Sequence, residues 1–178
     1  MAKTDPPATA APGRGWDEFA VLYDDYNTRL YRVALLLCHG SGAMAEDAVA
    51  ETFIRLYRVW SKDDHGIENF FAYARRALVN HVMGQFRSET VAGNYRRTQR
   101  GDDRGDRPIE DRVVDASTTF ETLRQLPPRQ RTAVVLRYYE DLSYDQIATA
   151  MEVSVGTAKS QVSLGLSRMR QLMGTATS

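Results

Sequence analysis

The chain has 178 residues, with 23 Lys and Arg against 23 Asp and Glu, so its formal net charge is zero. That length allows one medium domain or two small ones, and 43% hydrophobic residues are enough for packed cores. Overall charge offers no reason to bind nucleic acid, no apolar run reaches the ~18 residues of a membrane span, and a single cysteine rules out an internal disulfide.

Met1–Gly15 lacks an apolar signal core and reads as a disordered leader, so the protein is expected in the cytoplasm. Asp17–His39 reads as a helix, because Phe19, Leu22, Tyr26, Leu30, Val33 and Leu37 recur at three- and four-residue intervals. Cys38 ends an apolar run and reads as a core filler. Gly40-Ser41-Gly42 breaks this helix. A second runs from about Ala43 to Trp60, with Ala45, Ala48, Val49, Phe53, Leu56 and Trp60 inward. Its first half carries Glu46, Asp47 and Glu51, more acid than a helix N-terminus needs. Ser61–Gly66 is a polar loop, and a third helix runs from about Glu68 to Phe86, with Phe71, Ala74, Leu78 and Val82 on one side.

Ser88–Ser117 is rich in Arg, Asp and Gly without periodicity, which is the composition of a flexible linker. The second domain opens near Thr118, with Phe120, Leu123 and Leu126 helically spaced. Pro127-Pro128 then stops one helix and starts the next. In Leu142–Met169, Ser143 can cap a short helix Tyr144–Met151, Glu152-Val153-Ser154 makes a turn, and Ser154 caps a last helix to about Leu172. Ala158, Val162, Leu166 and Met169 give that helix an apolar back. Thr157, Lys159, Ser160, Gln161, Ser163 and Leu164 lie opposite. A front of small polar residues suits the DNA major groove; the competing reading is an ordinary helical hairpin.

The charges are segregated even though they cancel. Asp17–Glu68 holds ten acids and five bases, whereas Phe71–Arg100 holds six arginines and one acid. Thr122–Tyr139 has four arginines and no acid, and Val155–Ser178 has three bases and none. Such a chain can dock a protein with one surface and phosphates with another. In the third helix, arginines and aromatics interleave: Phe70, Phe71, Tyr73, Arg75, Arg76, then Asn80 and Arg87. Aromatic faces stack on unpaired bases, each worth roughly 1–3 kcal/mol, and an amide such as Asn80 can read the edge of an extruded base. Phe71 reads as core; Phe70 and Tyr73 stay open between core and base platform. Catalysis finds no support. His39, His65 and His81 are scattered, no Cys/His cluster has ligand spacing, and there is no phosphate loop or nucleophile motif. Neither metal nor cofactor is expected.

Glu46–Phe53 (EDAVAETF) with Leu56-Tyr57 and the run Arg75–Asn80 (RRALVN) resemble the second region of sigma factors. Leu126–Arg131 (LPPRQR), Leu136–Tyr139 (LRYY), Leu142–Ala148 (LSYDQIA) and Ser154–Ser160 (SVGTAKS) resemble the fourth. The chain from about Trp16 to Met173 is therefore similar to the two-domain extracytoplasmic-function group of bacterial sigma-70 factors, in its actinobacterial branch. The resemblance implies an all-α fold of two small domains: a three-helix promoter-melting domain at 16–87 and a four-helix helix-turn-helix domain at 118–173. A flexible linker (88–117) would join them, with a leader (1–15) and a tail (174–178) outside. It further implies that Asp47, Glu51 and Arg55 dock on the β′ clamp helices of core RNA polymerase, with the β flap as a second contact. Asp64, His65, Asn69, Phe70, Tyr73, Arg75, Arg76 and Asn80 would open and hold the minus-ten element. Lys159, Ser160, Gln161, Ser163 and Leu164 would face the minus-thirty-five element, with Arg137, Tyr144 and Thr157 on its phosphates. The linker would thread the RNA-exit path, and an anti-sigma factor is a further implied partner. RNA synthesis would belong to the core enzyme.

The chain departs from the family pattern in three places. Ala50 stands where Gln is usual, and Gln161 and Leu164 replace arginines, which flattens the expected salt dependence. Leu164 is left to meet a thymine methyl or to pack. Two other readings remain: a stand-alone helix-turn-helix regulator, usually a dimer on two half-sites, and a single-strand-binding module resting on the third helix alone.

Overall fold

The computed structural model describes residues 15–62, 69–93 and 116–175, and among these it contains seven α-helices and no strand. The helices are α1 (Trp16–Leu37), α2 (Gly42–Trp60), α3 (Phe70–Gly93), α4 (Ala116–Arg124), α5 (Pro128–Tyr138), α6 (Tyr144–Met151) and α7 (Val155–Thr175). The first three pack on one another, and α5, α6 and α7 form the heart of the second group.

Asp17 and Glu18 in the first turn of α1 complement its dipole. The helix closes at Leu37 because His39 (φ 58°) and Gly40 (φ 81°) turn left-handed, and Gly40 N–H donates back to Leu35 O at 2.9 Å. Ser41 then caps α2, its Oγ accepting from Met44 N–H. The expected inward stripes hold: Leu30, Val33, Leu37, Ala45, Ala48, Leu56, Leu78 and Val82 are almost wholly buried, as is Cys38. Each large aliphatic among them contributes roughly 1.5–3 kcal/mol relative to exposure. Phe19 is the aromatic hub, meeting Phe53, Tyr57, Trp60 and Phe70 with ring centroids 5.1–6.1 Å apart. Trp16 meets Tyr57 edge-on at 5.2 Å.

One boundary differs from expectation. The third helix was expected to end near Phe86, with a linker from Ser88, yet α3 runs to Gly93. Ser88–Ala92 contains no helix breaker, and Ser88 Oγ donates to Gly84 O within the helix, so winding continues at least to Gly93. Residues 94–115, most of the expected linker, lie outside the described residues, as do Met1–Arg14 of the leader and residues 176–178 of the tail.

In the second group Pro128 occupies the first turn of α5, where a missing N–H is harmless. Ser143 and Gln146 form a reciprocal capping box at α6: Gln146 N–H donates to Ser143 Oγ at 3.2 Å, and Ser143 N–H to Gln146 Oε1 at 2.9 Å. Gly165 lets α7 lie close against α5; a Cβ there would stand 2.6 Å from Val134 Cγ2.

The two groups are docked. α3 packs on α5 and α6, and α1 packs on α4 and α5. Phe120 of α4 sits so close to Gly40 that a Cβ at that position would come within 2.7 Å of its ring.

Candidate nucleic-acid and polymerase interface

The outer side of α2 presents Asp47, Glu51 and Arg55 one turn apart. Arg55 Nε donates to Glu51 Oε1 at 3.1 Å, an exposed i,i+4 pair. Asp47 and Arg55 also line an open groove of about 540 Å³ between α2 and α3, together with Asn80, His81 and Gln85. Burial first, and Arg55 second, lower the pKa of His81 against the opposing pull of Glu51. Asp47 and Arg55 are exposed along this stripe, and Glu51 is half-exposed between them.

Of the residues expected at a melted strand, Asp64 and His65 lie outside the described residues. Asn69 caps α3, its Oδ1 accepting from Ala72 N–H at 2.9 Å. Tyr73 is 39% exposed. Phe70 is a core residue in this structure rather than an open base platform. Its ring stacks on Tyr26 at 5.7 Å and meets Phe19 edge-on at 5.9 Å, because position 70 begins α3 on the side facing α1. Arg75 is buried as well. Its Nη1 donates to Glu140 Oε2 at 2.9 Å, with the two side chains 9% and 2% exposed. Arg29 Nη2 donates to the same oxygen at 3.2 Å, while its guanidinium lies 3.9 Å from the centre of the Phe71 ring. Arg76 Nη2 and Asn80 Nδ2 both donate to Glu152 Oε1, at 3.0 and 2.8 Å. These hydrogen bonds, Arg76 first, hold the Glu152 carboxyl below its usual pKa.

The front of α7 is open. Lys159, Ser160, Ser163 and Leu164 are exposed, Leu164 by 49%, and Thr157 and Gln161 are half-buried beside them. Its apolar back behaves as expected, with Ala158 and Val162 buried and Leu166 and Met169 packed on the core. Thr157 is already engaged: its N–H donates to Ser154 Oγ at 3.1 Å and the two hydroxyls lie 2.9 Å apart. Arg137, Tyr144 and Lys159 come together from three helices. The Arg137 guanidinium and Lys159 ammonium stand 5.2 and 5.7 Å from the Tyr144 ring centre, and Arg137 Nη1 donates to Leu142 O at 2.7 Å. That cluster places two cations beside the start of α6 and the exposed front of α7, which is how a helix-turn-helix meets a DNA backbone.

Sequence reasoning missed Glu140, Glu152 and Arg131. Glu140 and Glu152 each bridge the two helical groups, and Arg131 is completely buried between them. Among the described residues no helix is long and apolar enough to cross a membrane.

Comparison with known proteins agrees with this architecture. Residues 22–91 match the family described as Sigma-70 region 2, and residues 120–169 the one described as Sigma-70, region 4. The chain belongs to the extracytoplasmic-function group of sigma-70 RNA polymerase sigma factors. It is 31% identical over 164 residues to the ECF RNA polymerase sigma factor SigE of Mycolicibacterium smegmatis, covering 89% of this chain but only 61% of that one. It is 30% identical over 135 residues to the RNA polymerase sigma-H factor of Pseudomonas aeruginosa, covering 66% and 67%. To the ECF sigma factor SigW of Bacillus subtilis it is 28% identical over 167 residues, covering 87% and 88%. In fold it is similar to the sigma factor RpoE of Bartonella quintana, solved in complex with the anti-sigma factor NepR. The TM-score is 0.72 at 22% identity, over 89% of this chain and 98% of that one.

Proposed function

We infer that this chain binds core RNA polymerase in the cytoplasm, recognises the minus-thirty-five and minus-ten promoter elements and opens the promoter. The observation that carries this reading is the coexistence in one chain of a capped helix-turn-helix with an open front and a three-helix unit bearing an acidic docking stripe. A stand-alone regulator needs only the first.

Asp47, Glu51 and Arg55 of α2 dock on the β′ clamp helices. Residues 16–87 serve as the melting domain, in which Asn69, Tyr73, Arg75, Arg76 and Asn80, with Asp64 and His65 before them in the chain, hold the minus-ten strand. Phe70 acts there from within the core, supporting α3. Residues 118–173 serve as the duplex-reading domain. Lys159, Ser160, Gln161, Ser163 and Leu164 face bases, and Arg137, Tyr144 and Thr157 face phosphates, with the β flap behind them. The segment between α3 and α4 joins the two domains and lets an anti-sigma factor clasp both. The chain supplies recognition and strand opening; phosphoryl transfer stays with the core enzyme.

Run-off transcription with purified core polymerase on a genomic promoter pool tests this. New discrete start sites that depend on the protein are expected. Their absence, together with duplex binding by the protein alone, rejects the reading in favour of a stand-alone regulator.

A further inference from the structure

The exposed front of α7 is built mostly of short side chains. Gly156 opens it, and Ser160, Ser163 and Ser167 are exposed along it. Leu164 lies one turn beyond Ser160 on the same side and is 49% exposed. Ala158, Val162, Leu166 and Met169 pack the apolar back of the helix, and Leu164 does not join them. An isobutyl group among serines stands above its neighbours. Met173, the other exposed large apolar residue of α7, falls on the opposite side. No arginine occurs between Thr157 and Ser167, so the group that most often reads guanine is missing from this front. Serine hydroxyls fit donors and acceptors alike and discriminate little. To an apolar side chain the major groove offers one distinctive feature, the 5-methyl group of thymine. We propose that Leu164 packs on that methyl group and makes the duplex site of this chain require thymine at one position. The proposal rests on the duplex-reading assignment of α7 given above and adds which base one of its residues selects.

The surroundings of Leu164 match a groove between two phosphate backbones. Lys159 and Arg170 are exposed on one edge of the front and Arg168 on the other, and no acid occurs from Val155 to Ser178. An uncharged strip therefore runs between two lines of cations, the complement of base edges lying between phosphates. Lys159 is steadied on its edge by the Tyr144 ring, 5.7 Å from its ammonium. The rotation of α7 is fixed by the residue next to Leu164. A Cβ at Gly165 would stand 2.6 Å from Val134 Cγ2, so that side is held against α5 and position 164 is turned outward. Gln161, one turn before Leu164 and half-buried, carries an amide of the kind that pairs with N6 and N7 of adenine. Both side chains thus suit an A·T pair. Covering one methyl group adds little to affinity, about three- to fivefold, so the contact sets preference more than strength. The same methyl group stands on 5-methylcytosine, and methylating a cytosine at this position restores its contribution.

Selection from a duplex DNA pool with a randomised core tests this, using the full chain alone and the full chain assembled with core polymerase. One pool contains thymine; a second contains uracil, which pairs alike but lacks the methyl group. The wild type is expected to enrich thymine at one position of its site. In the uracil pool that enrichment should fall about three- to fivefold. Leu164→Ala should lose the preference at that position and keep the others, and Leu164→Arg should replace it with guanine through the O6 and N7 acceptors. Fluorescence anisotropy on the selected duplex adds a second readout. With 5-methylcytosine in place of the thymine, the wild type should bind about three- to fivefold tighter than with cytosine, and Leu164→Ala equally to both. Circular dichroism should find both variants folded, since position 164 is exposed. A thymine preference that survives in Leu164→Ala, or a site with no position sensitive to uracil, overturns the proposal. Selection that enriches no sequence in either form overturns it too, together with the duplex-reading assignment of α7. A Leu164-dependent thymine in a site from which core polymerase starts no transcript upholds the methyl contact and rejects the sigma reading.

Discussion

The faces of α3 and α7 assigned to DNA stand in opposite states. Lys159, Ser160, Ser163 and Leu164 on α7 are exposed, Lys159 resting on the Tyr144 ring of its own domain. Arg75, Arg76 and Asn80 on α3 are all bonded to acids from the other domain. The difference is one of reach. The α7 front lies on the far side of its own helix from the packed back, so docking leaves it untouched. The α3 face is the docking surface itself. On the proposed assignment of these faces, the duplex-reading front is open while the strand-holding face is still covered.

The largest predicted disruption comes from the closed side. Arg75→Ala leaves Glu140 buried with only the half-exposed Arg29, and is expected to cost ~3–5 kcal/mol in urea unfolding. On the open side, Gly165→Ala pushes a methyl into Val134 and tilts α7. A loss of ~1–3 kcal/mol is expected, with weaker duplex binding and unchanged single-strand binding. Acid should weaken the junction. Burial and Arg131 hold His39 at about 4 instead of 6.5, while its Nδ1 contact with Arg124 O opposes them. The unfolded chain therefore takes up the proton first, and stability falls as pH drops from 6.5 to about 4, by ~1–2 kcal/mol after discounting the ring's partial exposure. Thermal unfolding at pH 7 and 5 should show this in the wild type and much less in His39→Asn, which tolerates the left-handed backbone at that position. Ser143→Ala removes half of the capping box and should cost ~1 kcal/mol without affecting strand binding. The smallest effect sharpens the contrast most. Lys159→Ala should leave stability within ~0.5 kcal/mol and lower the salt slope of duplex binding by about one.

What could be read in advance depended on the range of the interaction involved. α6 was expected at Tyr144–Met151 and is found there, since its start is set by Ser143 and Gln146, three residues apart. The inward stripes of α1 and α2 follow a helical period and were equally legible. α3 was misjudged at its end because mixed charge after Ser88 resembles a linker, although nothing between Ser88 and Ala92 breaks the winding. Phe70 was left undecided because periodicity around Phe71 gives both rings a claim on the core. The acids at 140 and 152 were out of reach altogether. Their partners lie 65 to 111 residues away, and no pattern in either segment encodes the pairing. Arg131 sits inside the basic run Thr122–Tyr139, where composition suggested phosphate contacts rather than burial.

The aromatic hub at Phe19 has a spectroscopic consequence. Both tryptophans of the chain lie in the first domain, Trp60 almost enclosed at 4% exposure and Trp16 open at 61%. Tryptophan emission, excited selectively beyond the tyrosine band, therefore arises only in the first domain, and its two components report a dry and a wet site of the same three helices. Far-ultraviolet ellipticity, by contrast, sums over all seven helices. Superimposed denaturation curves from the two signals would mean that the halves melt as one body. An ellipticity transition running ahead of the fluorescence would mean that the recognition half lets go first, with no label or truncation needed to see it.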